Sequence, residues 1–85
     1  MRIKSNFLFE ILNFIRTDIN YSGSNQLQYG TQYIVGGVFV DIHTSTRKPD
    51  TFTLDIKNHP ANPDFARQLE EYINFICKPE EDTAN

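Results

Sequence analysis

The residues best suited to chemistry are two carboxylates and a histidine on neighbouring β-like segments. Asp41 and His43 alternate along "VFVDIHTS", and Asp55 lies in "TFTLDIKN". A histidine beside carboxylates is a common arrangement for acid–base catalysis and for weak metal binding. Acid–base catalysis needs a tuned pKa, and burial is one way to shift the pKa of such groups. A short open sheet would leave all three side chains in water, so we expect a solvated cross-strand polar cluster.

The remaining metal-ligating or nucleophilic groups are poorly placed for catalysis. His43, His59 and Cys77 are separated by 16 and 18 residues, which fits no zinc-ligand pattern. Cys77 is the only cysteine, so no intramolecular disulfide can form. It falls near the end of a predicted helix, where the helix dipole disfavours a thiolate. We therefore expect no enzyme activity, no catalytic residue, no metal site and no cofactor.

Length and charge narrow the class of protein further. The 85 residues suffice for one domain with a small core, and the formal net charge is -3. That acidity weighs against a generic nucleic-acid binder, because such proteins need a basic face. No apolar run approaches the roughly 20 residues of a membrane span, and no signal-peptide cleavage site follows the apolar start. We expect a cytoplasmic protein with one domain over residues 1–78 and a short acidic tail over residues 79–85.

The periodicity predicts five elements that position these residues. Apolar residues at helical spacing indicate a helix near each end, and alternating segments indicate three strands between them. Asn62, Pro63 and Asp64 form a helix-start signal. The predicted fold class is α+β in the order α-β-β-β-α, a three-stranded antiparallel meander with two helices packed on one face. The predicted elements are a helix over 5–18, a loop over 20–25, strands over 26–35, 38–46 and 51–58, and a helix over 62–77.

The pair Gly36-Gly37, inside "TQYIVGGVFVDIHTS", fixes which side chains face water. A phosphate-binding loop would lead into a helix, whereas β-like sequence follows here. Two glycines between apolar runs favour a two-residue hairpin turn, which needs positive φ. The hairpin would direct inward the side chains of Tyr33, Val35, Val38, Val40 and Ile42.

Two registers of the third strand keep its apolar residues on one face. One places Asp41 opposite Asp55, and the other, shifted by two residues, places Asp41 opposite Lys57 and His43 opposite Asp55. Opposite charges across strands stabilise by a few tenths of a kcal/mol to about 1 kcal/mol, and like charges cost a similar amount. We therefore predict the second register.

Two surfaces are candidates for contact with a partner. The outward face of the sheet carries an apolar pair, Ile34 and Phe39, beside polar and acidic side chains. The second helix carries an acidic surface that could face a basic groove, and either surface could be the contact. The predicted partner-binding residues are Gln32, Ile34, Phe39, Asp41, His43, Asp55, Glu70 and Glu71.

The first helix has more apolar surface than one sheet face requires. Phe7, Phe9 and Phe14 widen its apolar arc to roughly 220°, against the 100–150° or so that a single sheet face needs. The excess predicts that a second helix packs alongside it or that a partner chain covers the remainder. A homodimer through the first helix is therefore one possible assembly.

The predicted order of elements over residues 5–77 is similar to that of a double-stranded RNA-binding domain. In that family a lysine cluster at the start of the final helix grips phosphates. Here the corresponding stretch is "NPDFARQLEE", with one arginine and three acids, so the RNA-gripping motif is absent.

The chain also resembles small acidic phage-encoded anti-CRISPR proteins that inhibit Cas9. The shared features are size, acidity, an opening helix of the "NFLFEILNFI" type, a polar loop and a short meander. The resemblance implies a non-enzymatic inhibitor that binds a protein with a basic surface, such as a CRISPR effector, and makes no direct contact with nucleic acid. Alternatives are a nucleic-acid-binding module of double-stranded-RNA-binding-domain topology and a homodimeric chaperone-like or structural protein.

Overall fold

The computed structural model describes residues 1–44 and 47–78, and shows an antiparallel sheet with two helices. The α+β class is confirmed, but the described part has five strands where three were predicted. The strand order is β1-β5-β4-β3-β2. The strands are β1 (Arg2–Lys4), β2 (Tyr21–Leu27), β3 (Gly30–Val35), β4 (Val38–Thr44) and β5 (Thr51–Lys57), and the helices are α1 (Leu8–Arg16) and α2 (Pro63–Ile76). The predicted acidic tail lies outside the described residues.

Strand β2 occupies most of the segment predicted to be a loop. It pairs with β3 through a two-residue turn at residues 28–29, which divides the predicted first strand into two. Tyr29, which falls within the strand predicted over 26–35, sits on that turn and is 70% exposed. The segment "YSGSNQL" is rich in turn-forming residues, and pairing with β3 makes it a strand despite its low β propensity. At the opposite side of the sheet, β1 pairs with β5 and buries Ile3.

The helices match the prediction at α2 better than at α1. Asn62 caps α2 by accepting a hydrogen bond from the Phe65 N–H at 3.3 Å, and Pro63 occupies the first turn. Helix α1 begins only after a 3-10 turn at Ser5–Phe7 and ends at Arg16, so Ile19 lies outside it and is 95% exposed. Neither helix in the described ranges is long and apolar enough to span a membrane.

The hairpin turn at Gly36-Gly37 is confirmed. The two glycines have φ of 56° and 87°, in the region that favours glycine. The Gly36 N–H donates to the Asn20 carbonyl at 2.9 Å, and the Asn58 Nδ2 donates to the Gly37 carbonyl at 2.9 Å. These bonds hold the tip of the β3–β4 hairpin against the segments that precede β2 and α2.

The core lies between the sheet and the two helices. Phe14 of α1 stacks on Tyr72 of α2 with ring centroids 4.5 Å apart, and also faces Phe65 at 6.4 Å. The second helix thus covers one shoulder of the wide apolar arc of α1, while Phe9 on the other shoulder is 87% exposed. The five side chains that the hairpin was predicted to direct inward are confirmed as buried: Tyr33, Val35, Val38, Val40 and Ile42. On β5, Phe52 and Leu54 are buried with them, and Ile56 is partly buried.

Candidate binding face

Six of the eight predicted partner-binding residues lie together on the side of the sheet turned away from the core. We call this side the open face. Cross-strand pairing places Ile34 beside Phe39 and, in the next row, Gln32 beside Asp41. Asp55 continues that row on β5. His43 follows Asp41 on the same face of β4, two residues along the strand.

The register between β4 and β5 differs from the one predicted. Asp41 lies opposite Asp55, the like-charge arrangement that charge reasoning rejected. Lys57 lies opposite Phe39, yet its Nζ reaches diagonally to Asp41 Oδ2 at 2.8 Å. The prediction was wrong because it counted only directly opposite residues, whereas a long lysine side chain also reaches its diagonal neighbour.

Asp41 is buried, although the sequence placed it in solvent. Only 3% of the residue is exposed. It sits on a central strand, between Gln32 on one side and Asp55 on the other. Within the described residues its Oδ1 atom has no hydrogen-bond partner. Burial of a carboxylate with an unpaired oxygen is costly, so this residue does not owe its place to stability.

Over the described residues the Asp41 carboxylate is bonded by Lys57, whose ammonium remains in contact with water. The hydrogen bond and the charge of Asp41 raise the pKa of the Lys57 ammonium above its usual value of 10.5, and the charge of Asp55 adds to them, while desolvation opposes. The Lys57 side chain is 59% exposed. The Asp41 side chain is only 4% exposed, so a cation from another molecule reaches this carboxylate only by moving Lys57 aside.

The apolar pair on the open face is accessible from the side of β2. Ile34 and Phe39 are each half-buried. The residue paired with Ile34 on β2 is Gly23, which stands at a bulge and carries no side chain to cover it. A Cβ built at Gly23 would meet no atom within 4 Å. On the open face, the apolar pair of Ile34 and Phe39 thus lies next to the buried hydrogen-bond acceptor of Asp41.

Glu70 and Glu71 do not join this face, because they lie on α2 in the other layer. Glu70 Oε1 lies 3.2 Å from His59 Nε2, and Glu71 Oε1 accepts from Arg67 Nη1 at 3.3 Å. All four side chains are well exposed. These are ordinary surface pairs, so the acidic helix and the open face are two separate surfaces.

The other chemistry-bearing residues form no cluster. Over residues 1–44 and 47–78, no group of three or more His, Cys, Asp or Glu side chains is arranged to hold a metal ion. Cys77 is half-buried, and its burial, with a smaller effect from Glu10, raises the pKa of the thiol above 9.0.

The distribution of charge was missed by sequence reasoning. Eight basic and eight acidic residues precede Pro79, so the net charge of -3 equals the contribution of Glu80, Glu81 and Asp82. The domain itself is neutral. Cationic side chains gather at the β1–β5 end of the open face, around a cleft of about 400 Å³ lined by Arg2, Lys4, Lys48, Asp50 and Thr51. The alternation of Arg2 and Lys4 in "MRIKS" was the available signal.

Comparisons with protein-family models, with curated proteins and with solved structures gave no match.

Proposed function

We propose that this protein is a non-enzymatic binding module that uses its open face to contact another protein. The observation that carries the proposal is Asp41, a buried carboxylate with one unpaired oxygen beside the Ile34–Phe39 pair. A buried polar atom without a partner needs a reason other than stability, and a functional contact is such a reason.

The geometry favours a partner that presents a cation next to an apolar side chain. A guanidinium group is well suited to bind a carboxylate, and here it would have to displace the exposed Lys57 ammonium to reach Asp41, whose side chain is 4% exposed. Asp55, exposed and directly opposite Asp41, would add a second negative charge to the contact. The partner surface is therefore basic, as in a protein channel that holds nucleic acid.

An anti-CRISPR-like inhibitor of phage or mobile-element origin, acting in the cytoplasm, is the specific form of the proposal. Blocking the nucleic-acid channel of a CRISPR effector would require only a rigid surface, and association would weaken as salt screens the charges. The support is the residue chemistry of the open face and the resemblance drawn from the sequence.

The test is DNA cleavage by Cas9 in the presence of increasing amounts of the protein, with matched charge reversals. We expect Asp55→Lys to weaken inhibition about tenfold or more, the loss typical of an interface hot spot. Glu71→Lys makes the same charge change on α2 and should leave inhibition unchanged. The reverse result would assign the contact to the acidic helix. Absence of inhibition by the wild-type protein would refute the anti-CRISPR form of the proposal.

A nucleic-acid-binding module is the second candidate, and the neutral domain with its cationic end favours it. The net charge of -3 no longer weighs against nucleic-acid binding by the domain, because that charge equals the contribution of the acids at residues 80–82. A mobility shift with double-stranded RNA or DNA at low salt would support this candidate if Lys4→Glu and Lys48→Glu abolish it. A shift unaffected by these changes would exclude the cationic cleft as the contact.

A further inference from the structure

The two edge strands of the sheet differ sharply in how they are protected. Natural sheets guard their edges with short strands, charged residues or proline, because an open edge pairs with other chains. Strand β1 has three residues, two of them the charged Arg2 and Lys4. Strand β2 has seven residues, "YSGSNQL", without a charge or a proline. Its one irregularity is the bulge between Tyr21 and Gly23.

The absence of charge extends well beyond β2. No Lys, Arg, Asp or Glu occurs between Asp18 and Asp41, a stretch of 22 residues in a chain that is 22% charged. Strands β2 and β3 therefore carry no charge of their own that would repel an identical surface, while the guanidinium of Arg16 on α1 lies over the ring of Tyr33. The serine, asparagine and glutamine side chains of β2 both donate and accept hydrogen bonds, so they can pair with copies of themselves.

The register of the β2–β3 hairpin shows which backbone groups of β2 face outward. Leu27 pairs with Gly30 across the two-residue turn and forms the first hydrogen-bonded pair. Alternation then turns the N–H and C=O groups of Gln26 and Ser24 away from β3, toward the open edge. An added strand would bond to these groups.

Ser24 is also the centre of a symmetric arrangement of exposed apolar residues. It is the midpoint of Tyr21–Leu27, and Ile19 and Tyr29 lie five residues before and after it. Ile19 is 95% exposed and Tyr29 is 70% exposed. In an antiparallel pair of β2 strands centred on Ser24, the end of β2 next to Ile19 in each copy meets the end next to Tyr29 in the other. The exposed apolar residues of the two copies are thereby brought to the same ends of the contact.

We propose that β2 pairs antiparallel with β2 of a second copy about a two-fold axis at Ser24, which joins the two sheets into one of ten strands. This surface is distinct from the open face used by the proposed function and from α1. A two-fold contact is self-complementary by construction, and it closes at two copies.

The test uses sedimentation equilibrium with charges placed on the proposed axis. We expect wild-type protein to have twice the 9.9 kDa chain mass. Ser24→Lys and Ser24→Glu each set like charges opposite one another, which should weaken the dimer about fivefold or more. An equimolar mixture of the two variants should recover the dimer as a mixed species, because Lys then faces Glu. Asn74→Lys, which adds a charge on the exposed surface of α2, should have no effect.

Ile19→Asp gives a second, independent variant. Ile19 lies outside every helix and strand, so the change should leave the circular dichroism spectrum unaltered and still weaken the dimer. The proposal is overturned by a wild-type monomer at high micromolar concentration, or by a dimer that withstands both Ser24 variants. It is also overturned if folded Ser24→Lys and Ser24→Glu fail to pair when mixed. A dimer lost on Phe9→Ser but kept in the Ser24 variants would assign the contact to α1 instead.

Discussion

Replacing Asp41 by valine should make the protein more stable, although it removes an ion pair. In the folded protein Asp41 is 3% exposed, leaves Oδ1 unpaired and faces the like charge of Asp55. Valine removes the unpaired acceptor and the repulsion, and it suits the central strand β4 better than aspartate does. What is lost is the bond to Lys57, which contributes little because that ammonium is mostly in water.

The size of the gain follows from these contributions. An unsatisfied buried acceptor costs about 1–3 kcal/mol, and strand propensity adds up to about 1 kcal/mol. Part of this is offset by the lost pair and by the larger volume of valine, which has to fit between neighbouring side chains. We expect the free energy of unfolding to rise by about 1–2 kcal/mol, which raises the Tm of a chain of this size by about 4–16 °C.

Urea unfolding followed by circular dichroism measures this change. Asp55→Val is the matched control, because it gains the same strand propensity and relief of repulsion but is exposed and removes no unpaired buried oxygen. Its gain should be smaller than that of Asp41→Val by about 1 kcal/mol, the lower bound for an unsatisfied buried acceptor. A loss of more than about 1 kcal/mol in Asp41→Val, with an unchanged dependence on urea, would refute the reasoning. It would mean that Oδ1 is satisfied by a donor in the folded protein. If the proposed function is correct, the same variant should bind its partner less well while being more stable.

Three further outcomes follow from the structure. Gly30→Ala should lower the free energy of unfolding by about 2–3 kcal/mol in the same urea assay, because its Cβ would collide with a backbone carbonyl of β4 and force the strands apart; a loss below about 1 kcal/mol would contradict this. Because the folded pKa of Lys57 is raised above 10.5, its stabilising contribution is complete below pH 10.5 and is lost as the pH rises through the folded pKa. Between about pH 9 and about pH 12, the free energy of unfolding should therefore fall less in Lys57→Met than in the wild-type protein. Equal falls in the two proteins would contradict the link between Lys57 and Asp41. Burial and the charge of Glu10 raise the pKa of the Cys77 thiol, so it should react with a disulfide reagent at pH 8 more slowly than free cysteine does. The reaction should be faster in Glu10→Gln than in the wild-type protein. A wild-type rate equal to that of free cysteine would contradict the burial of the thiol.

Features of the fold that depend on local backbone requirements could be read from the sequence. Gly36-Gly37 supplies the positive φ of a two-residue turn, and Asn62-Pro63 supplies a cap and a compatible first residue for α2. Both signals act within a few residues. Strands β1 and β2 were missed because their strand character comes from the neighbouring strands that they pair with, and no short stretch of sequence encodes that.

The common face of the predicted residues on β3, β4 and β5 could be predicted from the sequence, whereas their burial could not. The alternation along β3, β4 and β5 correctly grouped Gln32, Ile34, Phe39 and Asp41 on one face. The burial of Asp41 could not be foreseen, because it depends on the flanking strands on both sides and on the β4–β5 register. The β4–β5 register depends on diagonal neighbours as well as on directly opposite charges, and the sequence analysis compared only the latter. Lys57 pairs with one oxygen of Asp41 along a diagonal, which offsets the like charge of Asp55.

The pairing of β1 with β5 has a consequence for the order of folding. Strands β2 to β5 form successive hairpins, each closed by a short connection that the chain can find locally. The bonds between Met1 and Leu54, in contrast, join residues 53 positions apart, so β1 can dock only after a long loop has closed. In hydrogen exchange we expect the amides at the β1–β5 seam to open ahead of those in the β3–β4 hairpin, which makes this seam the first to fray when the domain is destabilised.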